Sequence, residues 1–165
     1  MARKINAKQL ENEIKAIANL NFLDQFCRGH HMFERHCNKD LSFLKSRMRV
    51  AHRAPKTFVM STFNSELTEK QVALKVAQAA YFNMDEIKSR LETNPDCQQE
   101  FICYSKTSLG FGIIRGADWD DPIYMSGIKV ILAPGDRTYI KLVSAYPFPT
   151  TKEMYNALQK KSLYK

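Results

Sequence analysis

Three of the chain's four histidines fall within eight residues, in the segment GHHMFERH from Gly29 to His36. Histidine exchanges a proton near neutral pH and also binds zinc, so such a cluster suits either acid–base catalysis or a metal site. A third interpretation is structural, with one histidine packed in the core and its neighbours exposed to solvent. The residues around the cluster help to choose among the three.

Zinc ligands of suitable types lie close together at Cys27, His30, His36 and Cys37. Structural zinc sites commonly use two separated pairs of ligands. Here two of the candidate ligands are adjacent, at positions 36 and 37, and no second pair follows downstream. The spacing therefore disfavours a zinc site, and we expect neither a metal nor another cofactor.

A basic stretch surrounds the histidines and continues beyond them. The chain carries a net charge of +8, from 25 Lys and Arg residues against 17 Asp and Glu residues. Between residues 28 and 56, against only Glu34 and Asp40, the basic residues are Arg28, Arg35, Lys39, Lys45, Arg47, Arg49, Arg53 and Lys56. Such a stretch is usually a solvated surface, but it also suits the binding of polyanions. RNA can be cleaved by attack of its 2′-hydroxyl on the adjacent phosphate, which requires proton transfer and stabilisation of negative charge. Histidine can transfer the protons and arginine can stabilise the charge, so this chemistry needs no metal.

The elements that must position these residues follow from hydrophobic spacing, capping residues and β-branched content. Helices are predicted over residues 6–20, 29–36, 41–48, 69–82 and 84–92, and at the carboxyl end. Asp40 and Thr68 are the predicted caps of two of them. Strands are predicted in KTFVMSTF, EFICYS, LGFGIIRG, GIKVILA and RTYIKLVSAYP, with the turn PGD between the last two. Helices first and an antiparallel sheet last predict an α+β domain.

The length of 165 residues and the hydrophobic share of 44% predict one domain over residues 1–165, large enough to bury a core. It would comprise an amino-terminal helical region (1–27), a core with the motifs (28–147) and a basic carboxyl-terminal helix (148–165). The sequence has no apolar run long enough to span a membrane, and its charged amino terminus lacks the apolar block of a secretory signal. If the chain is exported, we expect it to travel within something larger or by a route without a cleaved signal. Free cysteines are expected, although a bridge between Cys97 and Cys103 is left open.

Three segments, in this order, carry a resemblance to a known family. GHHMFERHCNKDLSFLKSRM is similar to the motif GGH-x4-H followed by a Leu-rich stretch and an Arg. MSTFNSELTEKQVA is similar to a Ser-rich segment that leads into a helix, and GIKVILAPGDRTYIKLVSAYP to a closing hairpin that ends in [TS]-A-Y-P. These are motifs of the ribonuclease A-like toxin domain of bacterial contact-dependent growth inhibition proteins, which the chain resembles over most of its length. Members commonly carry Gly, Gly and Thr where this chain has His30, Asn38 and Ser144.

The resemblance implies an active site formed by His36, Arg47, Ser144 and Tyr146. Residues 144 and 146 leave the same face of a strand, and Arg47 offers a phosphate a planar fork that lysine lacks. His36 is expected to act as base or acid. The second proton transfer then falls to Tyr146 or His31, since no histidine lies near the carboxyl terminus. The expected phosphate contacts at the border of the site are Lys39, Lys45, Arg49 and Arg53.

The same resemblance implies a ribonuclease A-like fold, with helices packed on a twisted antiparallel sheet and the active site in the cleft between them. It implies a metal-independent endoribonuclease toxin that leaves a 2′,3′-cyclic phosphate, acts in the cytoplasm of a competing bacterium and is neutralised by an immunity protein. We expect that partner to be acidic, because the toxin is basic. The alternative is a non-catalytic basic RNA-binding module, which needs no histidine.

Overall fold

The structure is a computed structural model that describes residues 4–26, 29–51 and 58–162, with the backbone alone for residues 24–26, 29–31, 161 and 162. The helices are α1 (Ala7–Ala16), α2 (Leu20–Phe26), α3 (Gly29–His36), α4 (Leu41–Ala51), α5 (Glu69–Phe82), α6 (Met84–Thr93) and α7 (Thr151–Ser162). The strands are β1 (Val59–Phe63), β2 (Gln99–Tyr104), β3 (Gly110–Ile114), β4 (Ile123–Met125), β5 (Gly127–Ala133) and β6 (Lys141–Phe148). Within the described ranges, no helix is both long and apolar enough to cross a membrane.

Two helices begin at the caps that the sequence predicts. The Asp40 carboxylate accepts a hydrogen bond from the backbone N–H of Phe43 at 2.7 Å, where α4 starts. Thr68 and Gln71 form a complete capping box at the start of α5, in which each side chain accepts from the other residue's backbone N–H. These side chains satisfy amide groups that the first turn of a helix leaves unpaired. Helix α3 has its predicted bounds, and α4 runs three residues further than predicted.

The single helix predicted over residues 6–20 is wrong, because the chain forms two helices there. Helix α1 ends at Ala16, and α2 begins at Leu20. The side-chain oxygen of Asn19 accepts a hydrogen bond from the backbone N–H of Asn21 at 2.9 Å, so Asn19 caps a new helix. The apolar residues keep a helical spacing across the break, which is why periodicity alone did not reveal it.

The strands form two three-stranded sheets, in the orders β1–β3–β4 and β2–β5–β6, and not the single sheet that the sequence predicts. Strand β1 lies between helices α4 and α5 in the chain, yet it pairs antiparallel with β3, with Val59 opposite Ile114 and Phe63 opposite Gly110. Strand β4 was missed, because three residues are too few to show an alternating pattern. The α+β class is confirmed.

The chain forms two compact units, each built from three separate stretches. The first unit comprises Met1–Glu34, Leu67–Cys103 and Lys129–Ala145, and the second comprises Arg35–Glu66, Tyr104–Ile128 and Tyr146–Lys165. In the first unit α1 packs on α5 and α6, and both Leu10 of α1 and Val72 of α5 are fully buried.

The cysteines at 97 and 103, both in the first unit, are separate thiols. Cys97 is exposed, whereas the half-buried Cys103 accepts a hydrogen bond from the side-chain amide of Asn83 at 2.9 Å. Burial raises the pKa of the Cys103 thiol, and the Asn83 hydrogen bond opposes that rise only in part. Cys103 is therefore protonated at neutral pH.

In the second unit, the sheet β1–β3–β4 lies between α4 and α7. Ile113 of β3 packs in one cluster with Leu44 and Met48 of α4, whereas its neighbour Ile114 packs in another with Ala157 of α7. Successive side chains in a strand point to opposite faces, so the two helices cover opposite faces of the sheet. The site described below is built on this framework.

Candidate functional site

The rings of His36 and Tyr146 stack in the second unit. Their centroids lie 5.1 Å apart, and their planes are inclined by 28°. His36 is the last residue of α3, and Tyr146 lies near the end of β6. Both side chains are half-buried, so they remain accessible from solvent. An imidazole and a phenol placed in this way are close enough to act on one small group.

The orientation of the His36 ring is set by strand β1. Its Nδ1 lies 3.2 Å from the backbone carbonyl oxygen of Ser61. A carbonyl oxygen only accepts hydrogen bonds, so Nδ1 carries a hydrogen and donates it. In that tautomer Nε2 is the ring nitrogen with a lone pair, so it is the one that can accept a proton. One nitrogen orients the ring and the other is suited to proton transfer.

The backbone around His36 is also held to β1. The hydroxyl of Thr62 donates to the carbonyl oxygen of His36 and accepts from the backbone N–H of Lys39, both at 3.2 Å. The next residue along, Cys37, forms a parallel bridge with Phe63. The carboxyl end of α3 is therefore fixed to the strand by its own backbone as well as by the His36 ring.

A turn of four residues, 37–40, joins α3 to α4. Within it Asn38 has a φ of 52°, in the left-handed region that glycine adopts freely and asparagine tolerates better than most residues. Asp40 ends the turn as the cap of α4. Asparagine is among the non-glycine residues that adopt this conformation at least cost, so Asn38 suits the turn.

Arg47 lies half-buried on α4. Partial burial lowers the pKa of Arg47, and the positive charge of Arg35 lowers it further. A bound phosphate would oppose both effects, because its negative charge favours the charged guanidinium and its oxygens replace lost hydration. Arg35 directly precedes His36 on α3, and because its charge acts on Arg47 we refer to Arg35 and Arg47 as the arginine pair.

The other cations of α4 lie on a different flank of the helix. Residues two apart in a helix are separated by about 160°, so Lys45 and Arg49 point away from Arg47. Lys45 forms an ion pair with Asp120. The hydrogen bond and charge of Lys45 lower the pKa of the Asp120 carboxyl, and the charge of Arg49 lowers it further. The structure thus separates Lys45 and Arg49 from Arg47.

Lys39 lies on the same side of α4 as Arg47. Its ammonium nitrogen sits over the ring of Phe43, 5.0 Å from the centroid. Phe43 precedes Arg47 by one helical turn, so the two side chains are neighbours on the helix surface. Arg53, another predicted phosphate contact, lies outside the described residues.

Ser144 and His31 belong to the first unit. Ser144 is 9% exposed and lies in β6, a strand that begins in the first unit and ends in the second. The backbone of His31 lies in α3, but its side chain is outside the described residues, as is that of His30. Their part in the predicted site stays a prediction.

Two residues of the site were not predicted, namely Arg35 and Ser61. The sequence offered one indication that Arg35 belongs to the site, namely its position next to His36 in a basic stretch. Ser61 lies in the segment MSTF that resembles the family pattern, but it acts through its backbone carbonyl and through the direction of its hydroxyl. Neither can be read from residue type and spacing.

The zinc hypothesis leads to a prediction for the purified protein. Among the residues that the structure describes, no group of three or more His, Cys, Asp or Glu side chains is placed to hold a metal ion. Because His36 engages Ser61 through Nδ1 and Cys37 is buried against β1, we expect no stoichiometric zinc by elemental analysis. A chelator should neither inhibit nor unfold the protein. One equivalent of zinc, lost together with structure on chelation, would instead support a site at Cys27, His30, His36 and Cys37.

Comparison with known proteins gives one similarity of fold. No protein-family model matches the chain, and no curated protein matches its sequence. The structure is similar to a chain in the crystal structure of a CdiA-CT/CdiI complex from Y. kristensenii 33638, with a TM-score of 0.58. The two chains are 21% identical, and the match covers 72% of this chain and 99% of the other. This likeness shows a shared fold.

Proposed function

We propose that this chain is a ribonuclease toxin domain of a contact-dependent growth inhibition system, and that it cleaves RNA without a metal. The observation that carries the proposal is the stacking of His36 on Tyr146, with the imidazole oriented by a backbone carbonyl. The arginine pair of Arg35 and Arg47 supplies the positive charge that a phosphodiester requires. The fold likeness to a chain of the CdiA-CT/CdiI complex supports the same class of protein.

In the proposed reaction, the 2′-oxygen of the RNA attacks the adjacent phosphorus while Nε2 of His36 accepts the hydroxyl proton. The bond between phosphorus and the 5′-oxygen breaks, and the Tyr146 phenol donates a proton to that leaving oxygen. Arg35 and Arg47 bind the non-bridging oxygens and stabilise the negative charge of the phosphorane. The products are a 2′,3′-cyclic phosphate and a free 5′-hydroxyl, and proton exchange with water restores both side chains.

The remaining assignments in the proposal rest on the family resemblance. Ser144 would donate a hydrogen bond to a non-bridging oxygen or orient the histidine, and His31 is the alternative to Tyr146 as proton donor. A ribonuclease A-like type of α+β fold, with the site in a cleft, belongs to the same proposal. The proposed phosphate contacts further along the RNA are Lys39, Lys45, Arg49 and Arg53.

The proposed biological setting follows from charge and from the comparison. With a net charge of +8, the chain favours an acidic partner, so the cognate immunity protein is proposed to be acidic. The similar crystal structure is itself of a two-protein complex. The chain would be exported as part of a larger toxin or delivery system, and would act on RNA in the cytoplasm of the target bacterium.

A cleavage assay on defined RNA separates this function from the non-catalytic RNA-binding module. Incubated with single-stranded RNA and EDTA, the protein should produce fragments with 2′,3′-cyclic phosphate ends, identified by mass spectrometry. An oligonucleotide of the same sequence with 2′-deoxy sugars should bind but stay intact, because it lacks the attacking hydroxyl. Binding of both substrates without cleavage of either would support the binding module. Cleavage of the deoxy substrate would contradict the proposed chemistry.

A further inference from the structure

Ser61 contacts His36 and the residue that follows Tyr146, through two different groups. It lies in the middle of β1 and is 1% exposed, opposite Gly112 of β3. Its backbone carbonyl accepts the hydrogen bond from Nδ1 of His36 at 3.2 Å. Its hydroxyl donates to the backbone carbonyl of Pro147, the residue that follows Tyr146, at 2.6 Å.

The hydrogen bond to Pro147 is important because proline has no backbone N–H and so cannot donate a hydrogen bond to a neighbouring strand. The carbonyl of Pro147 is therefore its one backbone hydrogen-bonding group, and the Ser61 hydroxyl occupies it at a short distance. The Tyr146 ring leaves the chain one residue earlier. A shift of this carbonyl would move the phenol relative to the imidazole.

The surroundings of Ser61 leave little freedom for such a shift while the bond is present. A Cβ atom on Gly112 would lie 2.8 Å from the Cα and Cβ atoms of Ser61, and one on Gly110 would lie 2.5 Å from the Pro147 ring. Both contacts are shorter than van der Waals packing allows, so β1, β3 and the end of β6 pack closely only because these positions are glycine.

We propose that Ser61 is a positioning residue that sets the distance between the His36 imidazole and the Tyr146 phenol. It fixes the imidazole through its carbonyl and the phenol-bearing strand through its hydroxyl. This inference rests on the proposed function for its effect on catalysis, but the effect on ring geometry holds whatever the chain's activity.

The test uses Ser61→Ala, which removes the hydroxyl and keeps the carbonyl. The imidazole should stay oriented while the strand at Pro147 relaxes, so kcat for RNA cleavage should fall about 10- to 100-fold with KM nearly unchanged. The matched control is Ser126→Ala, in the same unit, which removes a half-buried hydroxyl that donates to the Glu153 carboxylate at 2.6 Å. It should reduce kcat by less than twofold.

A second measurement does not depend on activity. The ring current of Tyr146 acts on the protons of the stacked His36 ring, so their NMR chemical shifts report the ring distance. Ser61→Ala should move these shifts towards those of an unstacked histidine, and Ser126→Ala should leave them in place.

Changed shifts in a protein that never cleaves RNA would preserve the positioning role and defeat the proposed function. Unchanged shifts and unchanged kcat in a folded Ser61→Ala protein would overturn the inference. A loss of kcat that Ser126→Ala reproduces at equal thermal stability would overturn it as well.

Discussion

His36→Ala should lower kcat for RNA cleavage by about 10²- to 10⁴-fold, the contribution typical of a general acid or base. The variant removes Nε2, which the proposed mechanism uses to accept the proton of the 2′-hydroxyl. It should remain folded, because the end of α3 is still held to β1 by the backbone bonds of residues 36, 37 and 39. Single-turnover kinetics on a defined RNA, with thermal unfolding measured by circular dichroism, give both quantities.

The matched variant for this experiment is His36→Asn. The asparagine amide places an N–H donor close to the position of Nδ1, so it keeps a donor towards the carbonyl of Ser61. It has no nitrogen that titrates near neutral pH. Asparagine should therefore recover stability but no activity. Substantial cleavage by a folded His36→Asn protein would remove His36 from the proton transfer.

Arg47→Ala should lower kcat/KM by about 10²- to 10³-fold, since it removes a fixed cation from the developing phosphorane charge. Arg47→Lys should recover only part of this loss, because an ammonium cannot bind two phosphate oxygens with a planar fork. Lys45→Ala and Arg49→Ala are matched controls on the same helix. Lys45 is paired with Asp120, and Arg49 lies on the same flank of α4, so each substitution should weaken RNA binding slightly and uniformly without a comparable loss of rate.

An anion titration tests the same site without catalysis. The burial of Arg47 and its repulsion by Arg35 favour a bound anion, so inorganic phosphate should raise the thermal unfolding temperature of the wild-type protein. Arg47→Ala should reduce this increase much more than Arg49→Ala does. An equal response to phosphate in both variants would show that the anion binds elsewhere.

The parts of the fold that depend on neighbours in the sequence were predictable. Asp40 and Thr68 mark the starts of α4 and α5 because a cap and the amides it satisfies lie within three residues. The pairing of β1 with β3 was not predictable, since it joins segments about 50 residues apart. No residue pattern in either segment indicates which strand it pairs with. Local signals predict helices well, whereas sheet order depends on non-local contacts.

The candidate site likewise has features that the sequence predicts and features that depend on non-local contacts. His36 and Tyr146 could be selected by residue type and by motif, but their stacking and the carbonyl that orients the imidazole come from distant segments. Lys45 and Arg49 were grouped with Arg47 because all are basic and close in sequence. Helical spacing alone already places them on different flanks. Composition identified a basic stretch but not how its cations divide between the flanks of α4.

The short turn around Asn38 has a consequence for how such sequences diverge. Helix α3 ends on His36, the turn occupies four residues, and Arg47 follows on the second turn of α4. An inserted residue would rotate Arg47 by about 100° around its helix or pull His36 out of register with β1. The interval of eleven residues between the two side chains is therefore a length that mutation cannot alter freely. As homologous sequences diverge, we expect the length of this interval to be kept even where the residues within it change. The interval could then be used to align distant homologues.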